Sequence, residues 1–459
     1  TTGVQNTLIG GLSGDAITTA DENVTVGWSS LTTNTKSFYN VAVGNSALAA
    51  HNLTSDLAGY NTGIGHNAGA SVTTGIKNTL IGGLAGDAIT DADENVAIGY
   101  TALSTNILGS QSTAIGTGAL FTQNPVDGSG NPEAVTMYNT AVGAAAGYTI
   151  STGIQNTFVG ALAGDATDDG AYNTAVGYGA LSTNCGNENT AVGYSALALS
   201  TVGENTACGS AAGYALSTGT YGTFVGRYAG VWNTTADGST FVGHFAGQGI
   251  TGTRLTGNSN TAVGRSAGLL LQGAALNNTF LGAFAGDNAT TNGANTIIGY
   301  NIDCSGTNVD YEVAIGTGFT AGGTHTVRIG TSGGTATLGL DGSDTSWAAA
   351  SDSRLKKDIA TSTVGLAFIK DLRPVTFKWN AKDAVADSLP QYDADSSDPV
   401  YGEGKAHHGF IAQEVKTVID AHSDVVNGHN LWSEDPDGTQ QLSPSALVPM
   451  LTKAVQELS

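Results

Sequence analysis

The nine residues NTLIGGLAG, from Asn78 to Gly86, recur with small changes through the first 330 residues of this 459-residue chain. Close copies begin at Asn6, Asn40, Asn61, Asn139, Asn156, Asn173, Asn189, Asn260 and Asn278. The glycine that closes the short apolar stretch stands at positions 10, 27, 44, 65, 82, 99, 116, 143, 160, 177, 193, 209, 226, 243, 264, 282, 299, 316 and 330, which makes 19 copies. A repeat of this kind determines the fold before any local pattern does.

Most intervals between these glycines are 16 to 18 residues, which is too short for a pair of helices and suits one turn of a β-solenoid with two short strands. A short segment rich in Val and Ile favours extended backbone, and the glycine after it permits a sharp bend. One copy cannot bury its apolar face, whereas stacked copies can. We therefore predict that residues 1–330 form a parallel β-solenoid shaft of about 19 rungs, roughly 90 Å long at about 4.8 Å per rung.

The asparagine that opens each copy has two interpretations. Stacked Asn side chains can form a ladder of hydrogen bonds along the solenoid axis. Alternatively, Asn is a turn residue that tolerates left-handed backbone. The sequence does not decide between them.

Three intervals are longer than the others, namely 44–65, 243–264 and above all 116–143. The last contains FTQNPVDGSGNPEAVTMY, residues 121–138. Insertions in a solenoid emerge as loops on its surface, where they cost the stacked core little. We expect a receptor-binding loop here, with candidate contact residues Phe121, Asn124, Asp127, Asn131 and Tyr138. A loop without a binding role is the alternative.

Charge divides the chain into two parts. Residues 1–350 contain 6 Lys and Arg and 22 Asp and Glu, whereas residues 351–459 contain 10 and 16. Glycine falls from 60 residues in the first part to 6 in the second. Two architectures are therefore expected. The net charge of −22 and the lack of clustered Lys and Arg argue against a nucleic-acid partner.

The remaining composition excludes several classes of site. Cys185, Cys208 and Cys304 are widely spaced and form no CxxC pair, so they indicate neither a disulfide scaffold nor a zinc site. We expect no cofactor. No apolar run approaches the roughly 18 residues that span a bilayer. Because the chain enters the repeat almost at once and does not start with Met, we expect its N-terminus to lie upstream.

The repeated pattern Asn-x-Ala-(Val/Ile)-Gly-x-x-Ala resembles the head repeats of trimeric autotransporter adhesins, whose left-handed parallel β-rolls associate as trimers. Phage tail fibres contain the same kind of repeat. The resemblance implies a homotrimeric shaft. The repeats of this chain are longer than those of the adhesin heads, so handedness and rung shape are not carried over.

The C-terminal residues have mixed helix and strand patterns after a connector at 331–350. Helical spacing is present in TVGLAFIKDL, residues 363–372, and PVTFKWN, residues 374–380, alternates like a strand. Near the end, four apolar residues follow one another at steps of four, three and four, which predicts a coiled-coil seam of Leu447, Leu451, Ala454 and Leu458.

Four motifs in order make residues 351–459 resemble the intramolecular chaperone auto-processing domain at the C-terminus of phage tailspikes, endosialidases and L-shaped tail fibres. They are SDSRLKKDI from Ser351, LRPVTFKWN from Leu372, HHGFIAQEV from His407 and LSPSALVPMLTKAVQEL from Leu442. In that family the domain assists trimerisation and then releases itself by a serine–lysine pair. The resemblance places the serine at Ser351, the lysine at Lys356 and the scissile bond between Ala350 and Ser351.

The chemistry of this pair is compatible with the residues around it. Lysine accepts a proton from a serine hydroxyl only when it is neutral, and burial together with the neighbouring cations Arg354 and Lys357 would lower its pKa. A step of five residues turns about 140 degrees on a helix, so the two side chains must meet through a bend or across subunits. Any enzymatic activity is at most a single self-cleavage by a serine endopeptidase.

The sequence therefore predicts an extracellular virion tail fibre or tailspike, with an all-β repeat shaft and a small α+β chaperone domain ending in a coiled-coil helix. The expected partners are two further copies of the chain, a host cell-surface receptor such as a glycan and, through the N-terminus expected upstream, other virion tail proteins. Two alternatives stay open, a trimeric adhesin on a bacterial surface and a glycan-degrading tailspike. We expect no metal site at His407, His408, His422 and His429, whose spacing matches no ligand template.

Overall fold

The structure is a computed structural model that describes residues 3–340, 348–349, 353–387, 389, 391–401, 404–426, 429–435 and 438–459. The chain divides into two compact units, Thr1–Ala350 and Ser351–Ser459. The division falls at the bond where the sequence predicts a cut. Each unit is described by itself below.

The first unit is a parallel β-solenoid in which each strand pairs with the next strand along the chain. Most rungs contain a three-residue strand that follows the repeated asparagine, as the sequence predicts. Its nineteen parallel strands are β1 Thr7–Ile9, β2 Val24–Val26, β3 Val41–Val43, β4 Thr62–Ile64, β5 Thr79–Ile81, β6 Val96–Ile98, β7 Thr113–Ile115, β8 Thr140–Val142, β9 Thr157–Val159, β10 Thr174–Val176, β11 Thr190–Val192, β12 Thr206–Cys208, β13 Thr223–Val225, β14 Thr240–Val242, β15 Thr261–Val263, β16 Thr279–Leu281, β17 Thr296–Tyr300, β18 Glu312–Thr317 and β19 Thr326–Thr331.

The rungs have one strand each, so the prediction of two strands per rung is wrong. The segment after the closing glycine alternates between left-handed and ordinary backbone, as at Thr101 (φ 54°) and Leu103 (φ 55°), and this alternation prevents a pleated strand. Its amides still bond to the next rung: the amide of Leu103 donates to the carbonyl of Ala119 over 3.0 Å. Stacked turns therefore take the place of the second strand.

The interior is filled by the middle residue of each strand and by the alanine three positions after the closing glycine, as at Ala97 and Ala102, which are both fully buried. Large and small residues compensate for one another. Phe158 is fully buried, and a Cβ atom on Gly164 of the same rung would lie 2.6 Å from its ring. Close packing of this kind explains why the interior tolerates a phenylalanine only beside a glycine.

The repeated asparagines form the predicted ladder. The amide of Asn156 donates to the Oδ1 atom of Asn139 over 2.9 Å, and the amide of Asn173 donates in the same way to Asn156. The side-chain nitrogen of Asn156 donates to the carbonyl of Gly170 in the following rung over 2.8 Å. The alternative interpretation is wrong, because the left-handed residue is the one before the asparagine, such as Gln155 (φ 57°). The buried ladder members that follow the edge residue Asn6 are Asn23, Asn40, Asn61, Asn78, Asn95, Asn139, Asn156, Asn173, Asn189, Asn205, Asn260, Asn278 and Asn295.

Two substitutions in the ladder show how it accommodates other residues. Ser112 is too short to reach the next rung, and the buried side chain of Gln123 donates to its hydroxyl over 2.9 Å and accepts from Asn139 over 3.0 Å. Glu312 replaces the asparagine near the C-terminal end, where its fully buried carboxylate accepts the amide of Gly323 over 2.9 Å. Buried polar positions thus remain hydrogen-bonded where the repeat is imperfect.

The connector after the repeat continues the sheet. Strand β20, Gly334–Gly339, pairs antiparallel with β19, and strand β21, Ala348–Ala349, pairs antiparallel with β20. The backbone edge of the last rung is therefore covered by a hairpin-like reversal of the chain. An exposed parallel edge is a template for unwanted pairing, and this reversal removes it.

The second unit is a small α+β fold around one apolar core. It contains helices α1 Leu366–Asp371, α2 Ala412–Ala421 and α3 Leu447–Leu458, together with the antiparallel pairs β22 Val375–Phe377 with β23 His407–Gly409 and β24 Trp432–Glu434 with β25 Gln440–Leu442. Short 3-10 turns stand at Ser353–Leu355, Lys382–Ala384 and Pro444–Ala446. The helix predicted in residues 363–372 and the strand predicted in residues 374–380 are both confirmed.

The solenoid holds one buried histidine, His51, in the long interval between Gly44 and Gly65. Its Nε2 atom lies 2.9 Å from the Ser37 hydroxyl oxygen and 3.5 Å from the side-chain nitrogen of Asn61. Burial lowers the pKa of His51 to about 4. Protonation would place a positive charge on a buried ring whose Nε2 atom faces the amide nitrogen of Asn61.

We expect His51 to make the solenoid acid-sensitive. Its folded pKa lies below the unfolded value, so its contribution is complete above about pH 6.5 and is lost as the pH falls towards 4, by about 3 kcal/mol in total. Chemical denaturation at pH 7 and pH 4 should show a smaller loss of stability in His51→Gln than in the unsubstituted chain. His66→Gln, at an exposed histidine of the next rung, is the control and should lose as much as the unsubstituted chain. Equal losses in all three proteins would contradict this prediction.

Candidate functional site

The predicted self-cleavage residues lie at the start of the second unit. Ala350 and Ser351 fall outside the residues that the structure describes. Lys356 follows the 3-10 turn Ser353–Leu355, and its amide donates to the carbonyl of Ser353 over 3.1 Å. Its side chain is exposed, as are those of Arg354 and Lys357. The burial expected around Lys356 is therefore not supplied by its own chain, and the serine–lysine pair stays a prediction.

Helix α3 carries an apolar stripe on its outer side. Val448, Leu451, Val455 and Leu458 are 59%, 45%, 64% and 69% exposed. They follow one another at steps of three, four and three residues, which is the spacing of a coiled-coil seam. Four large apolar side chains on one exposed helix face indicate a surface that another helix covers.

The predicted seam is therefore wrong in two of its four members. Leu447 and Ala454 are buried, 5% and 4% exposed, and Leu447 belongs to the unit's own core. Leu451 and Leu458 remain in the exposed stripe. Val448 and Val455 were missed because two overlapping heptad patterns exist in this helix, and only packing against α1 determines which of them faces inward. The signal that could have found them is the apolar spacing of 448, 451, 455 and 458.

A contact between α3 and α1 fixes which side of α3 faces outward. The Glu457 carboxylate accepts the amide of Leu366, the first residue of α1, over 2.7 Å. A carboxylate at a helix N-terminus is favoured by the unpaired amides there. Gly365 makes the approach possible, because a Cβ atom at this position would lie 2.6 Å from the carboxylate. The apolar stripe is thus held away from the core of its own unit.

The histidines of the second unit have structural contacts. His407 stacks on Phe377 with ring centroids 5.7 Å apart, and both lie on the β22–β23 pair. The Nε2 atom of His422 is 2.9 Å from a carboxylate oxygen of Asp371. Among the described residues, no group of three or more His, Cys, Asp and Glu side chains is placed to hold a metal ion.

The insertion at 121–138 leaves the solenoid as predicted, with residues 126–134 mostly exposed. Its five candidate residues do not form a single cluster. Asp127 accepts the amides of Ser129 and Asn131 over 2.8 and 2.9 Å, so this aspartate shapes the loop. Three members belong to the rungs instead: Phe121 stacks on Tyr148 with centroids 5.0 Å apart, Asn124 accepts the amide of Ile107, and Tyr138 is the left-handed residue before the ladder.

The fold brings together one pair of carboxylates that sequence spacing did not reveal. Asp287 and Asp303 lie on neighbouring rungs. Burial raises the pKa of Asp287, and Asp303 raises it further by repulsion and a shared hydrogen bond. A glycosidase holds its two carboxyl groups about 5 Å or more apart so that the sugar or water fits between them. The direct contact of these two groups therefore does not support a glycosidase site.

The family comparison identifies the second unit. Residues 351–424 match the family model described as the chaperone of endosialidase. The match begins where the second unit begins and ends before β24. It confirms the resemblance given above, and a long β-solenoid followed by this chaperone domain fits a tail fibre or tailspike.

Searches among curated proteins and among solved structures found no match. The similarity found is thus confined to residues 351–424. No helix among the described residues is long and apolar enough to cross a lipid bilayer.

Proposed function

We propose that this protein is a homotrimeric tail fibre or tailspike of a bacterial virus, located in the extracellular virion tail. Its solenoid is the shaft that reaches a host cell-surface receptor, and its chaperone domain drives trimerisation and then cleaves itself off. The observation that carries this proposal is the succession of a parallel β-solenoid and an endosialidase-type chaperone domain in one chain.

The apolar stripe of α3 supports the trimerisation step. Three copies of Val448, Leu451, Val455 and Leu458 would cover one another in a short coiled coil. Parallel β-structure built from non-local contacts folds slowly and exposes strand edges meanwhile. A preassembled C-terminal end therefore gives three shafts a common point from which to fold.

The self-cleavage step uses the serine–lysine pair that the family resemblance places at Ser351 and Lys356. Neutral Lys356 takes the proton of the Ser351 hydroxyl, whose oxygen attacks the carbonyl carbon of Ala350. The resulting lysine ammonium returns the proton to the departing amide nitrogen of Ser351, and water then hydrolyses the ester between Ala350 and the serine oxygen. Because Lys356 is exposed in its own chain, we assign to packing against the other copies the burial that a lysine base needs. Cutting is thereby coupled to assembly.

The test is intact-mass analysis of the full chain beside three variants. We expect a fragment that begins at Ser351 in the unsubstituted protein and its absence in Ser351→Ala and Lys356→Ala. Lys370→Ala is the control, since this exposed lysine lies in α1 and has no part in the proposed pair, and it should still release the fragment. Native mass measurement of Ser351→Ala should give three chains per particle.

The outcomes separate the parts of the proposal. If all four proteins kept the mass of the uncut chain, the self-cleavage proposal would be wrong, and the proposed tail fibre would be unaffected. Cleavage in Lys356→Ala at the unsubstituted level would show that another base acts. A single chain per particle in Ser351→Ala would contradict the trimeric shaft.

A further inference from the structure

The side of the solenoid that carries the strands has an unusual uniform surface. In the rungs of β2 to β18 the middle residue of the paired triplet points into the core, while the first and third residues are mostly half-buried or exposed. Counted in the register of strand pairing, which starts at Val313 in β18 and at Val327 in β19, the first position is Thr or Val at every rung, and the third is Val, Ile or Leu at every rung except β12, where Cys208 stands. We call these two columns of side chains the outer strand face.

The outer strand face carries no charged residue at any rung of β1 to β19. Residues 1–350 nevertheless contain 22 acidic residues against 6 basic ones. Two shafts that approach one another through their acidic surfaces repel each other, whereas the outer strand face brings no like charges together. It is therefore the side on which a second strongly acidic shaft can approach.

Aromatic residues border this face on both edges. Tyrosine recurs at the position before the ladder residue and at the position after the closing glycine. All of these tyrosines are at least 42% exposed, and tyrosine is enriched in protein interfaces. They are Tyr39, Tyr60, Tyr138, Tyr172, Tyr221 and Tyr311 on one edge and Tyr100, Tyr178, Tyr194 and Tyr300 on the other.

We infer that the outer strand face is the surface through which three copies of the solenoid pack side by side, parallel and in register. This inference rests on the homotrimer of the proposed function and names its interface. The outer strand face presents the same residue types at every rung. A partner that contacts all rungs in the same way must have a surface with the same repeat distance, and a second copy of this chain has it.

The area of the outer strand face can be compared with the area that two further copies of the chain would cover. Nineteen rungs at about 4.8 Å, each roughly 10 Å across a three-residue strand, present on the order of 900 Å² per copy. A specific interface buries roughly 800 Å² of each partner. A trimer divides this area between two neighbours, about 450 Å² each, so the tyrosines along both edges supply the rest of each contact.

The test measures thiol alkylation at two valines of matched exposure. Val159 on the outer strand face and Val126 in the insertion loop are both 37% exposed in the single chain. Each is replaced by cysteine in a full chain that also carries Cys208→Val, which leaves only the buried Cys185 and Cys304. In the trimer we expect a maleimide to modify the Val159→Cys thiol at least about tenfold more slowly than the Val126→Cys thiol, because a packed interface must open first.

Cys208 gives the same measurement without an added cysteine. It is exposed in the single chain and should be protected in the trimer. The Cys208→Val chain alone should remain unmodified, which checks that the buried thiols do not contribute.

Native mass measurement of each protein accompanies the alkylation. A trimer in which the Val159→Cys and Val126→Cys thiols react at equal rates would overturn this inference and leave the trimeric fibre standing. A single-chain particle would overturn the proposed trimer and this interface with it.

Discussion

Replacement of Gly143 by alanine is expected to destabilise the solenoid by about 3 kcal/mol or more. Gly143 closes the strand of its rung with a φ of +144°, a backbone conformation that L side chains rarely adopt. A Cβ atom there would lie 2.5 Å from the carbonyl carbon and oxygen of Gly160 on the next rung. Neither atom can give way, because both belong to the backbone that forms the same contact with the following rung.

The loss of stability in Gly143→Ala should be confined to nearby rungs, because a solenoid rung contacts only its neighbours. Hydrogen exchange of peptides that cover β8 and β9 should accelerate in Gly143→Ala, and the thermal transition should fall. Gly128→Ala is the control, because Gly128 lies in the exposed loop and nothing stands within 4 Å of a Cβ atom there. It should change stability by no more than about 0.5 kcal/mol. Equal exchange in both variants would show that the glycine column is not a steric requirement.

Replacement of Asn156 by alanine is expected to cause a second large loss of folding stability. Its side chain accepts the amide of Asn173 over 2.9 Å and donates to the carbonyl of Gly170 over 2.8 Å and to Asn139 over 3.2 Å. The residue is fully buried, so alanine leaves the amide of Asn173 and the carbonyl of Gly170 without partners and without water. Each unsatisfied buried group costs about 1–3 kcal/mol, so a total loss of roughly 2–6 kcal/mol is expected from the two groups.

Chemical denaturation followed by circular dichroism measures this loss. Asn131→Ala is the matched control, because Asn131 is exposed in the insertion loop and bonds only within it. Its stability should stay close to that of the unsubstituted chain. If Asn156→Ala were as stable as Asn131→Ala, the ladder would not stabilise the shaft.

The period of the repeat predicts most of the first unit. Nineteen closing glycines predict nineteen rungs, and the structure contains nineteen parallel strands. The number of strands per rung was not predictable in the same way. The turn segment contains apolar residues such as Leu103, which pattern reasoning takes for a strand, and its left-handed backbone follows from stacking on the next rung.

The candidate sites show a different limit. The four motifs from Ser351 to the end predict the chaperone domain, and the family match over residues 351–424 confirms the resemblance across the first three of them. Heptad spacing alone does not show whether the apolar stripe that contains Leu447 or the one that contains Val448 faces solvent in α3. Burial of Leu447 in the unit's core and the contact of Glu457 with α1 decide that choice.

By itself the sequence determined the repeat architecture, the boundary between the two units and the class of the second one, because these depend on periodicity and on motifs that are local in the chain. Only the tertiary structure decided which side chains face outward. Exposure depends on contacts between residues far apart in sequence, as when Gln123 fills the ladder beside Ser112 or α1 covers one side of α3.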